Sequence, residues 1–275
     1  MFFRNTVPLM TDVLEGFSRE SFAAEGKTRD VYRLGSGPAV IVIAEIPGIT
    51  PRVSGFARKV AASGCTAVMP HLFGDPGREP SLGAMTKILG TLCISKEFAR
   101  FALKRTSPVT VWLRALAANE FARCGGPGVG VVGMCFTGGF ALAMMADAPV
   151  VAPVLSQPSL PFSIGARRAA DVGCSVSELA AVRAKVADGA QVLGLRFTGD
   201  PAVKASRFET LRRELGDGFI GVEIDSSPGN PFGHRKGAHS VLTEDLSDRE
   251  GSPTMAALHQ VLDFCATKLG VVRDS

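Results

Sequence analysis

The chain has one tryptophan, Trp112, one tyrosine, Tyr32, and four histidines in 275 residues. With so few Trp and Tyr, and no basic run interleaved with the phenylalanines, it lacks the stacking platform of a nucleic-acid groove. Charge of one sign is scarce too. Thirty Lys and Arg against 26 Asp and Glu leave a formal +4 with no cluster, so neither a nucleic acid nor a membrane surface is expected as a partner. No apolar run is long enough to span a bilayer, and the best, 138–155, is broken by Asp147, Pro149 and Pro153. The opening residues do not read as a signal peptide, because Asp12 and Glu15 fall where its apolar stretch would lie. A cytoplasmic protein is expected. The six cysteines (Cys65, Cys93, Cys124, Cys135, Cys174 and Cys265) form no C-x-x-C pair. That argues against a disulfide framework and a structural zinc site. His71, His234, His239 and His259 make no H-x-x-x-H pattern either, so neither a metal nor a cofactor is expected.

What is present is a core. Hydrophobic residues make up 46% of the chain and the mean hydropathy is +0.21, which excludes a disordered chain. The length suits one large domain, since a single core grows to roughly 250–300 residues. Short apolar runs alternate with longer amphipathic ones. Strands are expected at 39–44, 66–69, 128–132, 150–155, 191–197 and 219–224. Helices are expected at 52–63, 107–123, 137–147, 202–215 and 253–269, the second with Ser107 as N-cap before Pro108 and the last stopped by Gly270. This alternation predicts an α/β fold with a mostly parallel central sheet and helices on both faces. Two stretches fit it poorly, 75–105 and 156–187. Both follow strand ends, where open parallel sheets place ligand-binding loops, and both are candidate lid or insertion segments.

The most informative segment is Gly133-Met134-Cys135-Phe136-Thr137-Gly138-Gly139. A strand runs straight into a helix through a turn flanked by small residues, the form of a nucleophile elbow with cysteine at its apex. That geometry holds a side chain out over the sheet, and a thiol at a helix N-terminus ionises more readily. The alternative is a buried cysteine at an ordinary glycine-rich turn. Asp200, in Thr198-Gly199-Asp200-Pro201, follows the strand after the nucleophile helix, where this architecture places an acid; read alone, it is also an N-cap for the next helix. His239, in Gly237-Ala238-His239-Ser240, lies in the loop before the last helix, with His234 as a competitor five residues upstream. The order nucleophile, acid, histidine is that of the α/β-hydrolases.

These segments, together with Ile43-Ala44-Glu45-Ile46-Pro47-Gly48, resemble the dienelactone hydrolase family of α/β-hydrolases over roughly 39–269. The resemblance implies one α/β-hydrolase domain over 1–275. It implies that Cys135, Asp200 and His239 form a triad and that Glu45 contacts the resting thiol until substrate displaces it. The N–H groups of Phe136 and Ile46 would form the oxyanion hole. Two positions depart from the family. Thr137 stands where glycine is usual, and no arginine follows His239 before Arg249, although the family's dienelactone-processing members hold the substrate carboxylate with arginines. The expected activity is hydrolysis of a small-molecule carboxylic ester or lactone through a thioester, by a monomer or homodimer. A cysteine-dependent acyltransferase or thioesterase is the chemical alternative. A non-catalytic binding protein on the same fold is the bland one.

Overall fold

The computed structural model describes residues 13–81, 83, 88, 107–160 and 165–271. Much of the 75–105 segment therefore lies outside the described residues, as do Cys93 and residues 161–164 of the second irregular stretch.

Eight strands form one sheet: β1 Ser18–Ala24, β2 Lys27–Gly35, β3 Ala39–Ile43, β4 Thr66–Pro70, β5 Val129–Met134, β6 Val150–Ser156, β7 Val192–Phe197 and β8 Phe219–Ile224. Their spatial order is β1-β2-β4-β3-β5-β6-β7-β8. The pairs from β4 through β8 are parallel, while β1–β2 and β2–β4 are antiparallel. The helices are α1 Pro51–Ala62, α2 Pro108–Cys124, α3 Gly138–Met144, α4 Val176–Ala187, α5 Ala205–Leu215 and α6 Pro253–Leu269, with a single helical turn at Ala166–Ala169.

The strands from β3 onward read clearly because they are buried on both faces, so their residues form continuous apolar runs. Side chains alternate between two cores. Ile41 and Ile43 join Trp112 of α2, Phe140 of α3, Val182 of α4 and Phe208 of α5 on one side. Val40 and Val42 join Phe56 of α1 and Leu258 of α6 on the other. Ser107 caps α2 by accepting from the Thr110 N–H at 3.3 Å, and Gly270 ends α6 in the left-handed region. Among the described residues no helix is long and apolar enough to cross a membrane.

Three features differ from the sequence reading; one is that helix α3 covers Gly138–Met144 rather than 137–147. The β1–β2 hairpin was not expected. Charged residues sit on both faces of Ser18–Ala24, which is largely exposed, so no alternation announces it. Its turn, Glu25-Gly26, has positive φ at both residues (53° and 69°), the two-residue geometry that matches strand twist. Helix α5 begins at Ala205 rather than Ala202, because Asp200 Oδ1 accepts the Ala202 N–H at 2.8 Å and closes a separate turn before the helix.

Candidate active site

Five loops meet beyond the carboxyl ends of the central strands, following β3, β5, β6, β7 and β8. The β5 loop carries Cys135. Its backbone has φ 57°, a conformation seldom adopted by a residue with a Cβ, and it leads through a 3₁₀ turn, Cys135–Thr137, into α3. This turn needs a small residue two positions before the cysteine. A Cβ on Gly133 would lie 2.3 Å from the Thr137 carbonyl oxygen. Thr137 does not crowd the elbow. Its hydroxyl accepts the Met134 N–H at 2.8 Å and lies 2.7 Å from the Met134 carbonyl and 3.0 Å from that of Ile43, joining the turn to β3.

Asp200 and His239 are brought to the same place. Asp200 Oδ2 lies 2.6 Å from His239 Nδ1, with the acid side chain 0% exposed and the histidine 23%. Gly199 permits the approach of the two loops, since a Cβ there would lie 2.6 Å from the Lys236 carbonyl oxygen. The imidazole also lies near enough to the Cys135 sulfur to feel its charge. Burial alone would lower the His239 pKa. Negative charge on the neighbouring sulfur, with the hydrogen bond to Asp200, outweighs it, and the value is pushed up to about 11.

His234 does not take this position. It lies between the rings of Phe197 and Phe232, with centroids 5.2 and 6.3 Å away, and burial pulls its pKa below the ordinary value. His71 points Nε2 at the Gly74 carbonyl, 2.9 Å away, and His259 is exposed on α6.

The structure places Glu45 differently from the expectation that it meets the resting thiol. Its carboxylate is buried, 4% exposed, and accepts from Ser240 Oγ at 2.6 Å, from Gln157 Nε2 at 3.1 Å and from Thr243 Oγ1. The hydrogen bond on the thiol is instead with Ser159, whose Oγ is 3.1 Å from Sγ. Ile46 follows in the β3 loop, and its N–H has no acceptor among the described residues. Phe136 opens the turn after Cys135 and packs with Phe73 at 5.6 Å between centroids.

Several residues at the site were not singled out from the sequence. Asp245 Oδ2 accepts the backbone N–H groups of His239 (2.8 Å) and Ser240 (3.1 Å), while Arg235 grips the same carboxylate at 3.0 and 3.2 Å. Burial works against the charged form of Asp245, yet these donors hold its pKa below the ordinary value. An acid six residues past the histidine was the only available signal. Arg207 on α5 is 1% exposed and donates to the carbonyls of Pro158, Asp171 and Arg168, the last at 3.0 Å. Burial lowers its pKa to about 10.

Solved structures resemble this fold at low identity. A candidate dienelactone hydrolase from Klebsiella pneumoniae superposes with TM-score 0.61 at 18% identity, covering 93% of this chain and 98% of that one. A dienelactone hydrolase-like promiscuous phosphotriesterase from metagenomic libraries gives 0.58 at 18% identity, covering 92% and 98%. A cold-adapted esterase from an Arctic intertidal metagenomic library gives 0.55 at 14%, covering 92% and 95%. No curated protein matches the sequence. Residues 28–234 match the model of the dienelactone hydrolase family. The chain belongs to that family and is a hydrolase with the α/β-hydrolase fold.

Proposed function

We propose that the protein hydrolyses an uncharged carboxylic ester or lactone with Cys135 as nucleophile, His239 as acid and base, and Asp200 as the residue that orients the imidazole. The observation that carries this reading is the position of His239, bound to Asp200 through Nδ1 at 2.6 Å and near enough to the Cys135 sulfur for the two to interact electrostatically. Sγ attacks the carbonyl carbon, and the negative charge moves to the carbonyl oxygen. The N–H groups of Phe136 and Ile46 are the proposed oxyanion donors, each worth about 3–4 kcal/mol in comparable sites. The imidazolium gives its proton to the departing alkoxide and leaves a thioester. Neutral His239 then takes a proton from water, which attacks the thioester, releases the acid and restores the pair.

The acyl group is proposed to be apolar. Ile46, Phe73 and Leu160 pack on the same cluster as Phe136 and Cys135. Arg235, the arginine nearest His239 in sequence, is engaged by Asp245. The test is hydrolysis of a short-chain nitrophenyl ester by the parent and by Cys135→Ala. Turnover that disappears in the variant is expected. Equal rates in the two proteins would remove Cys135 as the nucleophile.

A further inference from the structure

We propose that Asp245 is the positioning residue for His239: its carboxylate fixes the two peptide planes on either side of the histidine and so sets the direction in which the imidazole faces Cys135. This rests on the assignment of Cys135, His239 and Asp200 above and adds a residue to it.

His239 sits far from any regular element. The chain from 225 to 252 contains neither helix nor strand, and a connection that long inside a compact domain needs other ties. Ala238, Val241 and Leu242 are buried in the same core as Leu258 of α6. Apolar burial places the loop but is non-directional, so it does not decide how the backbone at 239 is turned. Hydrogen bonds are directional and do decide it.

Asp245 supplies them. Its Oδ2 accepts the N–H of His239 at 2.8 Å and that of Ser240 at 3.1 Å. These two groups belong to the planar peptide units before and after the His239 Cα, so holding both leaves that residue's φ and ψ little room. The Asp245 N–H closes the loop by donating to the Ser240 carbonyl at 3.0 Å. On the outer side Arg235 grips both carboxylate oxygens. The arginine side chain is 69% exposed and that of Asp245 only 11%, so solvent screens the ion pair and the main-chain bonds carry the positioning. Despite burial, the donors around it keep the carboxylate charged at neutral pH, and bonds to a charged acceptor are the stronger class. Asp200 acts at the other end of the same residue, on Nδ1. Two acids thus divide the histidine between them, one on its main chain and one on its ring.

The test compares parent, Asp245→Ala and Asp245→Asn by aryl-ester hydrolysis, urea midpoint and the proton NMR signal of the His239 Nδ1–H. In Asp245→Ala, kcat is expected to fall about tenfold or more while KM holds within about twofold, because a reacting group is misaimed and the pocket is kept. The Nδ1–H signal is expected to move upfield or broaden as the bond to Asp200 slackens. Asp245→Asn keeps one oxygen to accept from the main chain, and its kcat should lie between those of the other two proteins. A residue that only stabilised the fold would lower the urea midpoint and leave kcat and the ring signal as in the parent. That result overturns the proposal, as does an Asp245→Asn kcat no better than that of Asp245→Ala. Should Asp245→Ala fail to fold, Asp245→Glu keeps the charge but moves the oxygens off the main-chain N–H groups. A fall in kcat of about fivefold or more then supports the positioning role, and a kcat equal to the parent's overturns it. Failure of the underlying assignment is read separately, as ester turnover that survives Cys135→Ala.

Discussion

Ser159 holds Cys135 at two points: its Oγ lies 3.1 Å from the sulfur and its N–H donates to the Cys135 carbonyl at 3.0 Å. The loop after β6 is thereby tied to the apex of the elbow by main chain and side chain together. Ser159→Ala keeps the backbone bond and removes the contact to sulfur. A hydrogen bond to a charged group is worth about 1.5–3 kcal/mol, so kcat/KM for an aryl ester is expected to fall by about tenfold or more, with the urea midpoint little changed. An unaltered kcat/KM would show that the hydroxyl is a bystander.

The high pKa of His239 has a direct readout. In the parent, ring carbon and nitrogen shifts should show the imidazole still charged well above neutrality. In Cys135→Ala, the negative charge that does most to raise the value is gone, and the titration should move back toward neutrality. His234, lowered by burial, titrates on the acid side of the ordinary value in both proteins and serves as the internal reference. The folded value of His239, about 11, lies above the ordinary 6.5, so the charged ring's contribution to stability is complete below 6.5 and lost as pH rises through 11. A ring that titrates near 6.5 in the parent would contradict the pairing.

Arg207 is a structural cation. Arg207→Met takes the donors away from the carbonyls of Pro158, Arg168 and Asp171. Each buried acceptor left unpaired costs about 1–3 kcal/mol, so a loss of at least about 3 kcal/mol is expected in a urea melt. Arg207→Lys should recover only part of it, because a single ammonium does not reproduce the guanidinium fork. A melt unchanged in Arg207→Met would show that the loops are held by other means.

Thr137→Val preserves the shape of the elbow and removes its hydroxyl. The Met134 N–H then has no acceptor, and the link to the Ile43 carbonyl is lost. The expected cost is about 1–3 kcal/mol, seen as a lower denaturant midpoint. A variant as stable as the parent would show that the hydroxyl adds nothing to the turn.

Much of this was legible before any coordinates, for definite reasons. Ala39–Ile43 and Val192–Phe197 are apolar along their length because helices cover both faces, and such runs stand out. Cys135, Asp200 and His239 each follow the end of a strand in a glycine-bearing segment, so their meeting could be expected from order alone. Ser18–Ala24 carries no such mark, since its pairing depends on Lys27–Gly35 and not on a pattern of its own. Arg207 was invisible because arginines recur along Ala205–Leu215, and nothing in the sequence shows which of them turns inward. The partners of Glu45 come from residues 157, 240 and 243 in two other loops, and the sequence spacing does not reveal that convergence.

One further consequence follows from the two oxygens of Asp200. Oδ1 is tied to its own loop at the Ala202 N–H, and Oδ2 reaches His239. The carboxylate therefore has almost no torsional freedom left, and the direction in which it aims the imidazole is set by a few residues of backbone. That alignment is in place once the chain has folded, and no rotamer search by the acid precedes each turnover.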